Sequence, residues 1–295
     1  MIAPLLAPGE LDVLWFQLGG TLCNLTCEHC FISCSPKNHS LKLMGLEEIE
    51  PYLREAERLG IKEYYLTGGE TFIVKELETI VERILRQGPV SILTNGTLVT
   101  AARAASFAEL HNRSPYTLEF RVSIDGFNAE ENDAIRGRGA FEKAMRGVQY
   151  LVKAGFLPII TATQVWDPGR EQEVLEGFNA ELERRGYLRP RLKFLPRLKI
   201  GAEEQRTEGY REEERITPEM MEGFDPAHLL CHNSRMISHR GVHICPILVE
   251  DPRGFMGEDL EDSLRPFPLA PNACYTCWQY GTICSNVPYA PEDPR

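Results

Sequence analysis

Three cysteines near the N-terminus have the spacing of ligands to one metal centre. Cys23, Cys27 and Cys30 stand in the stretch GGTLCNLTCEHCF, directly after the apolar run 13–18. A structural zinc ion takes four protein ligands, and an ordinary ferredoxin-type cluster takes four thiolates. Three thiolates on a 4Fe–4S cluster would leave one iron open to a ligand that is not protein. A structural zinc site and buried free thiols remain alternatives at this point, with Cys34 available as a fourth local ligand.

Three further motifs follow apolar runs that are rich in β-forming residues. They are TGGE at 67–70, LTNG at 93–96 and VSIDG at 122–126, and each precedes a helical pattern. Strands that alternate with helices predict a parallel sheet, and ligand-binding groups gather at the carboxyl ends of such strands. The cysteines and the three motifs are therefore expected at one edge of the sheet.

Taken together, these motifs resemble the core of the radical S-adenosylmethionine (radical SAM) superfamily. The resemblance implies a 4Fe–4S cluster on Cys23, Cys27 and Cys30, with the amino and carboxylate groups of S-adenosylmethionine on its open iron. One electron from the cluster would then split S-adenosylmethionine into methionine and a 5′-deoxyadenosyl radical. The implied fold class is α/β, a partial (β/α)6 TIM-type barrel that is open at one side.

The TGGE segment is similar to a glycine-glycine-glutamate motif of this family. Gly68 and Gly69 let the backbone approach a ligand closely, and the Glu70 carboxylate can hold the ammonium group of the methionine moiety. Family members commonly have proline next, whereas this chain has Thr71. The alternative is a strand-to-helix turn that ends in an exposed acid.

The remaining predicted cofactor contacts come from four places in the chain. Ser123 and Asp125 alternate along one strand, so both can face the ribose or the methionine end of the cofactor. His29 stands where family members usually place an aromatic near the adenine, and Arg136 resembles an arginine that pairs with the methionine carboxylate. The alternative for both is an ordinary loop residue. By position alone, three more cofactor neighbours are predicted: Thr94, Asn95 and Leu195.

Apolar periodicity predicts six strand–helix units, which are too few for a closed eight-stranded barrel. The predicted strands cover 13–18, 64–67, 90–94, 118–124, 157–164 and 191–195. Helices are predicted from Leu46 to the stop at Gly60, with Pro51 at a kink or near the start, and over 77–88, 101–110, 141–155 and 171–185. The barrel is assigned to 1–202, a charged linker or surface helix to 203–219, and a small cysteine-rich domain to 220–295.

Five of the nine cysteines lie in this C-terminal segment, where periodicity is weak. Cys274 and Cys277 form a C-x-x-C pair, and Cys231 and Cys245 add two thiolates. The segment resembles the auxiliary-cluster domains of radical SAM enzymes. It has too few cysteines for the two-cluster SPASM kind, and is similar to the shorter twitch kind with one auxiliary 4Fe–4S cluster. Cys284 could replace one ligand, stay free or donate a hydrogen atom, and a zinc site remains the alternative.

Composition limits the partners and the compartment. The formal net charge of −11 argues against general binding to nucleic acid and against docking on an anionic membrane surface. No apolar run reaches the roughly eighteen residues of a membrane span, and MIAPLLAPGELDV has no basic signal-peptide region. Nine cysteines without a secretory signal are typical of metal ligands, so a reducing cytoplasm is expected.

The predicted function is radical SAM chemistry in which a substrate hydrogen atom is abstracted. An auxiliary cluster would assist a net oxidation, and an electron donor such as flavodoxin or ferredoxin would reduce the first cluster. The first strand begins within about a dozen residues of the N-terminus, which favours a small molecule or short peptide as substrate. The alternatives are a maturase of ribosomally made peptides, a redox-neutral epimerase or cyclase, and a non-catalytic iron–sulfur or zinc protein on the same fold.

Overall fold

A computed structural model describes residues 3–281 together with 283 and 284. Six strands appear where the sequence predicts them, with ends that differ by up to two residues, and the structure adds a strand pair and a C-terminal hairpin. The strands are β1 (Leu5–Leu6), β2 (Val13–Phe16), β3 (Glu63–Leu66), β4 (Val90–Thr94), β5 (Leu118–Ser123), β6 (Ile159–Thr163), β7 (Arg191–Leu195), β8 (Ser234–Ser238), β9 (Gly241–His243), β10 (Phe255–Gly257) and β11 (Phe267–Pro268).

The five predicted helices are also present, and two helices were missed. The helices are α1 (Leu46–Leu59), α2 (Leu77–Ile84), α3 (Ala101–Arg113), α4 (Ala129–Arg136), α5 (Ala140–Lys153), α6 (Glu171–Arg184), α7 (Ala202–Thr207) and α8 (Ala273–Tyr280). Pro51 lies inside α1, and Gly60 ends that helix with a φ of 73°, a left-handed conformation that suits glycine. The missed helices are α8 and α4, and α4 is capped by Asn128, whose side chain accepts a hydrogen bond from the Glu131 N–H.

The main sheet is an open, mostly parallel barrel. Its strand order is β10-β9-β8-β2-β3-β4-β5-β6-β7. Strands β2 to β7 run parallel to their neighbours, as does β8 beside β2. No closed barrel forms within the described part of the chain, since β7 and β10 are the two ends of the sheet. The predicted α/β partial barrel is confirmed.

The inside of the barrel is divided into an apolar part and a polar part. On the β2–β3–β8 side, Trp15 stacks on Tyr65 with ring centroids 4.2 Å apart, and Met236 is fully buried beside them. On the β5–β6 side, Arg121 and Thr161 are buried instead. Trp15, Arg121 and Thr161 all line one cavity, so residues of both parts form its wall.

The segment after residue 202 is less separate than the sequence suggested. Strand β8 extends the barrel sheet by pairing with β2, and β9 and β10 follow antiparallel beside it. Within the charged run, Glu203 in α7 is only 1% exposed and pairs with Arg206 at 2.8 Å, so this part is not a solvated linker. Among the described residues, none of the helices has the length and apolar character needed to cross a bilayer.

Candidate active site

The loop after β2 brings its three predicted ligand cysteines to one cavity. Cys23 is buried, Cys27 and Cys30 are partly exposed, and all three line a cavity of about 220 Å³. Backbone N–H groups of Leu25 and Cys34 donate to the sulfurs of Cys23 and Cys30 at 3.4 and 3.2 Å. Hydrogen bonds of this kind favour thiolates, which are the form that binds metal.

The three thiols differ in how easily they lose a proton. Burial raises the pKa of Cys23 to about 12 and the pKa of Cys27 to about 11. Hydrogen bonding with Cys34 lowers the pKa of Cys30 to about 6. A metal centre that binds all three must therefore displace protons from Cys23 and Cys27. Cys34 is itself buried and lines the same cavity, and its N–H supports the Cys30 sulfur.

Gly68 and Gly69 lie against the backbone of the segment that leads into the cysteine loop. The two backbones approach so closely that only glycine fits there. Gly68 has a φ of 135°, which a side chain would rarely tolerate, and a Cβ on Gly69 would overlap the Leu22 carbonyl. The Gly69 N–H also donates to the Gly20 carbonyl at 2.9 Å. Both glycines line the cavity, so this stretch presents backbone rather than side chains to a ligand.

Glu70 is placed differently from the sequence prediction. Its side chain is fully buried and is not among the residues that line the cavity. One carboxylate oxygen accepts hydrogen bonds from the Phe72 N–H at 2.9 Å and the Thr94 hydroxyl at 2.6 Å, and the other accepts from the Asn95 N–H at 2.7 Å. Here Glu70 ties the end of β3 to the end of β4. Its predicted contact with the ammonium group of S-adenosylmethionine stays a prediction.

Asn95 links the β4 loop to the cysteine loop. Its side-chain amide donates to Asn24 at 2.9 Å and lies 3.7 Å from the Cys23 sulfur. Thr94 and Asn95 both line the cavity, and both are buried. These two residues therefore lie where their position in the sequence predicted.

Asp125 holds the side chains of His29 and Arg136, and it is not among the residues that line the cavity. Its carboxylate lies 2.7 Å from Nε2 of His29 and 2.6 Å from Nε of Arg136, and it accepts a hydrogen bond from the Thr163 N–H at 2.8 Å. Burial alone would raise the pKa of Asp125, but Arg136 and His29 hold it well below its usual range. Strand β5 ends at Ser123, which lines the cavity, and the predicted contact of Ser123 and Asp125 with the cofactor stays a prediction.

His29 and Arg136, which Asp125 positions, both line the cavity beside Ser123 and Leu195. Arg136 is 8% exposed and stands at the end of α4, so it is no surface loop residue. The cavity residues that the sequence analysis did not predict include three polar residues of β5 and β6: Arg121, Thr161 and Thr163. Alternation along the strands was the available signal. Arg121 lies two residues from Ser123 on β5, and Thr161 lies two residues from Thr163 on β6, so each pair shares one face of its strand.

The C-terminal cysteines meet at a second cavity. Cys231, Cys245, Cys274, Cys277 and Cys284 all line it, among leucine and isoleucine side chains. Burial raises the pKa of Cys231 to about 12 and raises the pKa values of Cys245, Cys274 and Cys277 as well. Five thiols in one apolar pocket provide the soft donors that an iron–sulfur cluster takes.

Cys284 lines both cavities, so it lies between the two groups of cysteines. Its backbone carbonyl accepts a hydrogen bond from Arg121 at 2.6 Å. Across residues 3–281, 283 and 284, no three histidine, cysteine or acidic side chains are close enough to hold a single metal ion. The thiols of each group line one cavity, but they lie farther apart than ligands of a single metal ion do.

Known proteins are similar to part of this chain. The model of the radical SAM superfamily matches residues 19–176. Mycofactocin maturase MftC of Mycolicibacterium smegmatis is 34% identical over 135 residues, which cover 45% of this chain and 33% of that protein. GTP 3′,8-cyclase of Psychromonas ingrahamii is 31% identical over 139 residues, covering 46% and 39%. The alignments thus span well under half the length of these curated relatives.

A solved structure extends the likeness in fold to most of the chain. Streptococcus suis SuiB, in its crystal structure bound to the precursor peptide SuiA, superposes with a TM-score of 0.64. The superposition covers 88% of this chain and 66% of SuiB, at 14% sequence identity. At that identity the likeness concerns the fold alone.

Proposed function

Since the chain belongs to the radical SAM superfamily, we propose that it abstracts a hydrogen atom from a small molecule or short peptide and completes a net two-electron oxidation. The family uses S-adenosylmethionine and a 4Fe–4S cluster, and Cys23, Cys27 and Cys30 are the residues to hold that cluster. An auxiliary 4Fe–4S cluster is assigned to Cys231, Cys245, Cys274 and Cys277. The position of Cys284 between the two cavities is the observation that carries the proposal.

When bound, S-adenosylmethionine and its cluster supply a 5′-deoxyadenosyl radical, and an auxiliary cluster supplies an electron acceptor. The chain's own residues then bind the cofactor and position side chains at the cavity wall. Gly68 and Gly69 offer backbone to the cofactor, and Asp125 fixes His29 and Arg136 at the cavity wall. Because the two cavities share Cys284, a substrate in the first would lie beside the second. We also propose that an external one-electron donor of the flavodoxin or ferredoxin class reduces the first cluster, and that the protein works in the cytoplasm.

The experiment that tests hydrogen abstraction uses deuterated metabolites. The anaerobically reconstituted protein is incubated with S-adenosylmethionine, dithionite and an extract of cells grown in deuterated medium. We expect 5′-deoxyadenosine that carries one deuterium, together with a product two hydrogens lighter than its precursor. Formation of unlabelled 5′-deoxyadenosine alone, at the rate seen without extract, would count against abstraction from a metabolite or peptide in that extract.

A second candidate function is redox-neutral, and Cys284 is the observation that favours it. A thiol at the wall of the radical cavity can return a hydrogen atom to a substrate radical, as an epimerase requires. The similarity to a GTP cyclase supports a second redox-neutral reaction, a ring closure, as well as epimerisation. The similarity to a mycofactocin maturase supports a peptide substrate. A non-catalytic scaffold would have no use for the polar groups of the first cavity.

The substitution Cys284→Ala separates these functions. We expect it to keep the full iron content, because four other thiols line the second cavity, and Arg121 keeps its bond to the backbone carbonyl. Under the oxidation proposal the variant still forms product. If it consumes S-adenosylmethionine but stalls before product, Cys284 is a hydrogen-atom donor. The matched control, Cys274→Ala, should lose about half of the iron. Equal iron loss in both variants would show that Cys284 is a cluster ligand.

A further inference from the structure

A buried arginine of the first cavity is left with an unused donor. Arg121 lies in the middle of β5, is 2% exposed and lines the cavity. One end of its guanidinium donates to the Cys284 carbonyl at 2.6 Å. Its Nε is also buried, and it has no hydrogen-bond partner among the residues that the structure describes. A buried cation with an unsatisfied N–H is costly, so this arrangement needs a reason.

A second unused polar atom lies on the neighbouring strand. Thr161 in β6 is 7% exposed and lines the same cavity, and its hydroxyl has no partner within the described residues. Parallel pairing places Thr161 opposite Ser123, two residues beyond Arg121 on β5. The two strands therefore bring an N–H donor and a hydroxyl to one end of the cavity.

The charges around Arg121 are predominantly positive. None of the described residues that line the cavity is an aspartate or a glutamate. Glu119, two residues earlier on β5, lies 2.6 Å from Arg191 in an ion pair. Lys193 pairs with Thr161 in the β6–β7 register, and burial first and then the charge of Arg121 lower its pKa to about 8. This end of the cavity is therefore suited to an anion.

The two other deeply buried arginines among the described residues each have a carboxylate or several carbonyl partners in the protein. Arg235, which is fully buried, donates to the carbonyls of Cys231, Ser234 and Ser263 at 2.6–3.3 Å. Arg136 has the carboxylate of Asp125 as its partner. Arg121 has one carbonyl and no carboxylate at ion-pair distance among the described residues. Nothing among the described residues therefore completes the donors of Arg121.

We propose that Arg121 and Thr161 bind a carboxylate group of the substrate in the first cavity. This inference rests on the proposed function, because it concerns the substrate of the same cavity. A guanidinium edge with one added hydroxyl provides the few donors that a carboxylate needs. A phosphate group takes more donors, and the backbone N–H groups of β5 and β6 near Arg121 are engaged in the sheet. The substrate class is thus a carboxylic acid, such as an amino acid or a peptide with a free carboxylate.

A fragment titration tests this assignment without turnover. The reconstituted protein with S-adenosylmethionine bound is titrated with N-acetylglycine and with its neutral amide, N-acetylglycinamide, and binding is followed by ligand-observed NMR. We expect the acid to bind more tightly than the amide. Arg121→Gln should weaken binding of the acid by on the order of tenfold and leave the amide unchanged. Thr161→Val should act in the same direction with a smaller effect.

Three outcomes would overturn the assignment. They are equal binding of acid and amide by the unaltered protein, unchanged binding of the acid by Arg121→Gln, and preferential binding of methyl phosphate over N-acetylglycine. Failure of the proposed function would give a different result. If the unaltered protein binds the acid but never cleaves S-adenosylmethionine, the carboxylate site stands and the proposed enzyme activity is wrong.

A stability measurement separates binding from a structural role. If Arg121 is kept for a ligand, Arg121→Met should leave the unfolding temperature unchanged or raise it, because it removes an incompletely paired buried cation. The matched control is Arg235→Met, which strips donors from three backbone carbonyls and should lower the unfolding temperature. A fall for Arg121→Met as large as that for the control would show a structural role and overturn the proposal.

Discussion

Replacing Cys23, Cys27 and Cys30 together by alanine is expected to abolish 5′-deoxyadenosine formation and to remove about half of the iron. The unaltered protein should hold about eight irons as two 4Fe–4S clusters, and the variant about four. The reason is geometric, since these three thiols line the first cavity and the C-terminal thiols line the second. Iron and sulfide analysis with a chromatographic assay of 5′-deoxyadenosine measures both effects.

The matched control for this variant is Cys34→Ala. Cys34 is a buried cysteine of the same loop, and it supports the Cys30 sulfur through its backbone N–H, which alanine retains. We expect this variant to keep its iron and its activity. Loss of half of the iron from Cys34→Ala would make Cys34 a ligand and the three-cysteine assignment wrong. An unaltered protein with four irons and zinc in the C-terminal segment would remove the auxiliary cluster from the proposal.

The second large effect is expected from Asp125→Asn. The change keeps the shape of the side chain but removes the negative charge between Arg136 and His29. Arg136 would remain buried without a counter-charge, which costs about 3–5 kcal/mol. That is a large part of the roughly 5–15 kcal/mol that stabilises a typical domain. Anaerobic urea unfolding should show the loss, and binding of S-adenosylmethionine should weaken with it, because Arg136 and His29 line the cavity.

A surface pair provides the control for this prediction. Asp251 lies 2.6 Å from Arg253, whose side chain is 59% exposed, and its side chain also accepts a hydrogen bond from the Arg253 N–H. Asparagine can make the same backbone contact, so Asp251→Asn should cost under about 1 kcal/mol. If Asp125→Asn and Asp251→Asn have equally small effects, Asp125 does not hold the cavity wall together.

The sequence was sufficient to predict the strands that carry the site. Four of the six barrel strands end at a motif that the sequence analysis names, and the predicted strands 90–94 and 191–195 match β4 and β7 at both ends. Helix α4 was missed because its sequence, AEENDAIR, has hardly any apolar periodicity. Its Asn128 cap and two acidic residues were the available signals. Strand β8 was missed because it pairs with β2, which lies far away in the sequence, and β9 and β10 because each has only three residues.

The direction of individual side chains could not be read from the motifs. Glu70 was expected to face the cofactor, but its carboxylate points to the backbone of Phe72 and Asn95, since three donors meet there. Alternation groups Arg121 with Ser123 on one face of β5, but the charge of Arg121 gives no sign in the sequence that its side chain is buried. Arg121 therefore stood out only when the structure showed its burial and its unused N–H.

The central claim is that this chain generates a 5′-deoxyadenosyl radical, and cleavage of S-adenosylmethionine by the purified protein tests it most directly. The protein is reconstituted anaerobically with iron and sulfide, reduced with dithionite and supplied with S-adenosylmethionine, and both products are measured by mass spectrometry. The account predicts methionine and 5′-deoxyadenosine in equal amounts, and neither from the Cys23, Cys27 and Cys30 variant. A protein with both clusters intact and reduced that binds S-adenosylmethionine but leaves it uncleaved, even with cell extract present, would contradict the account.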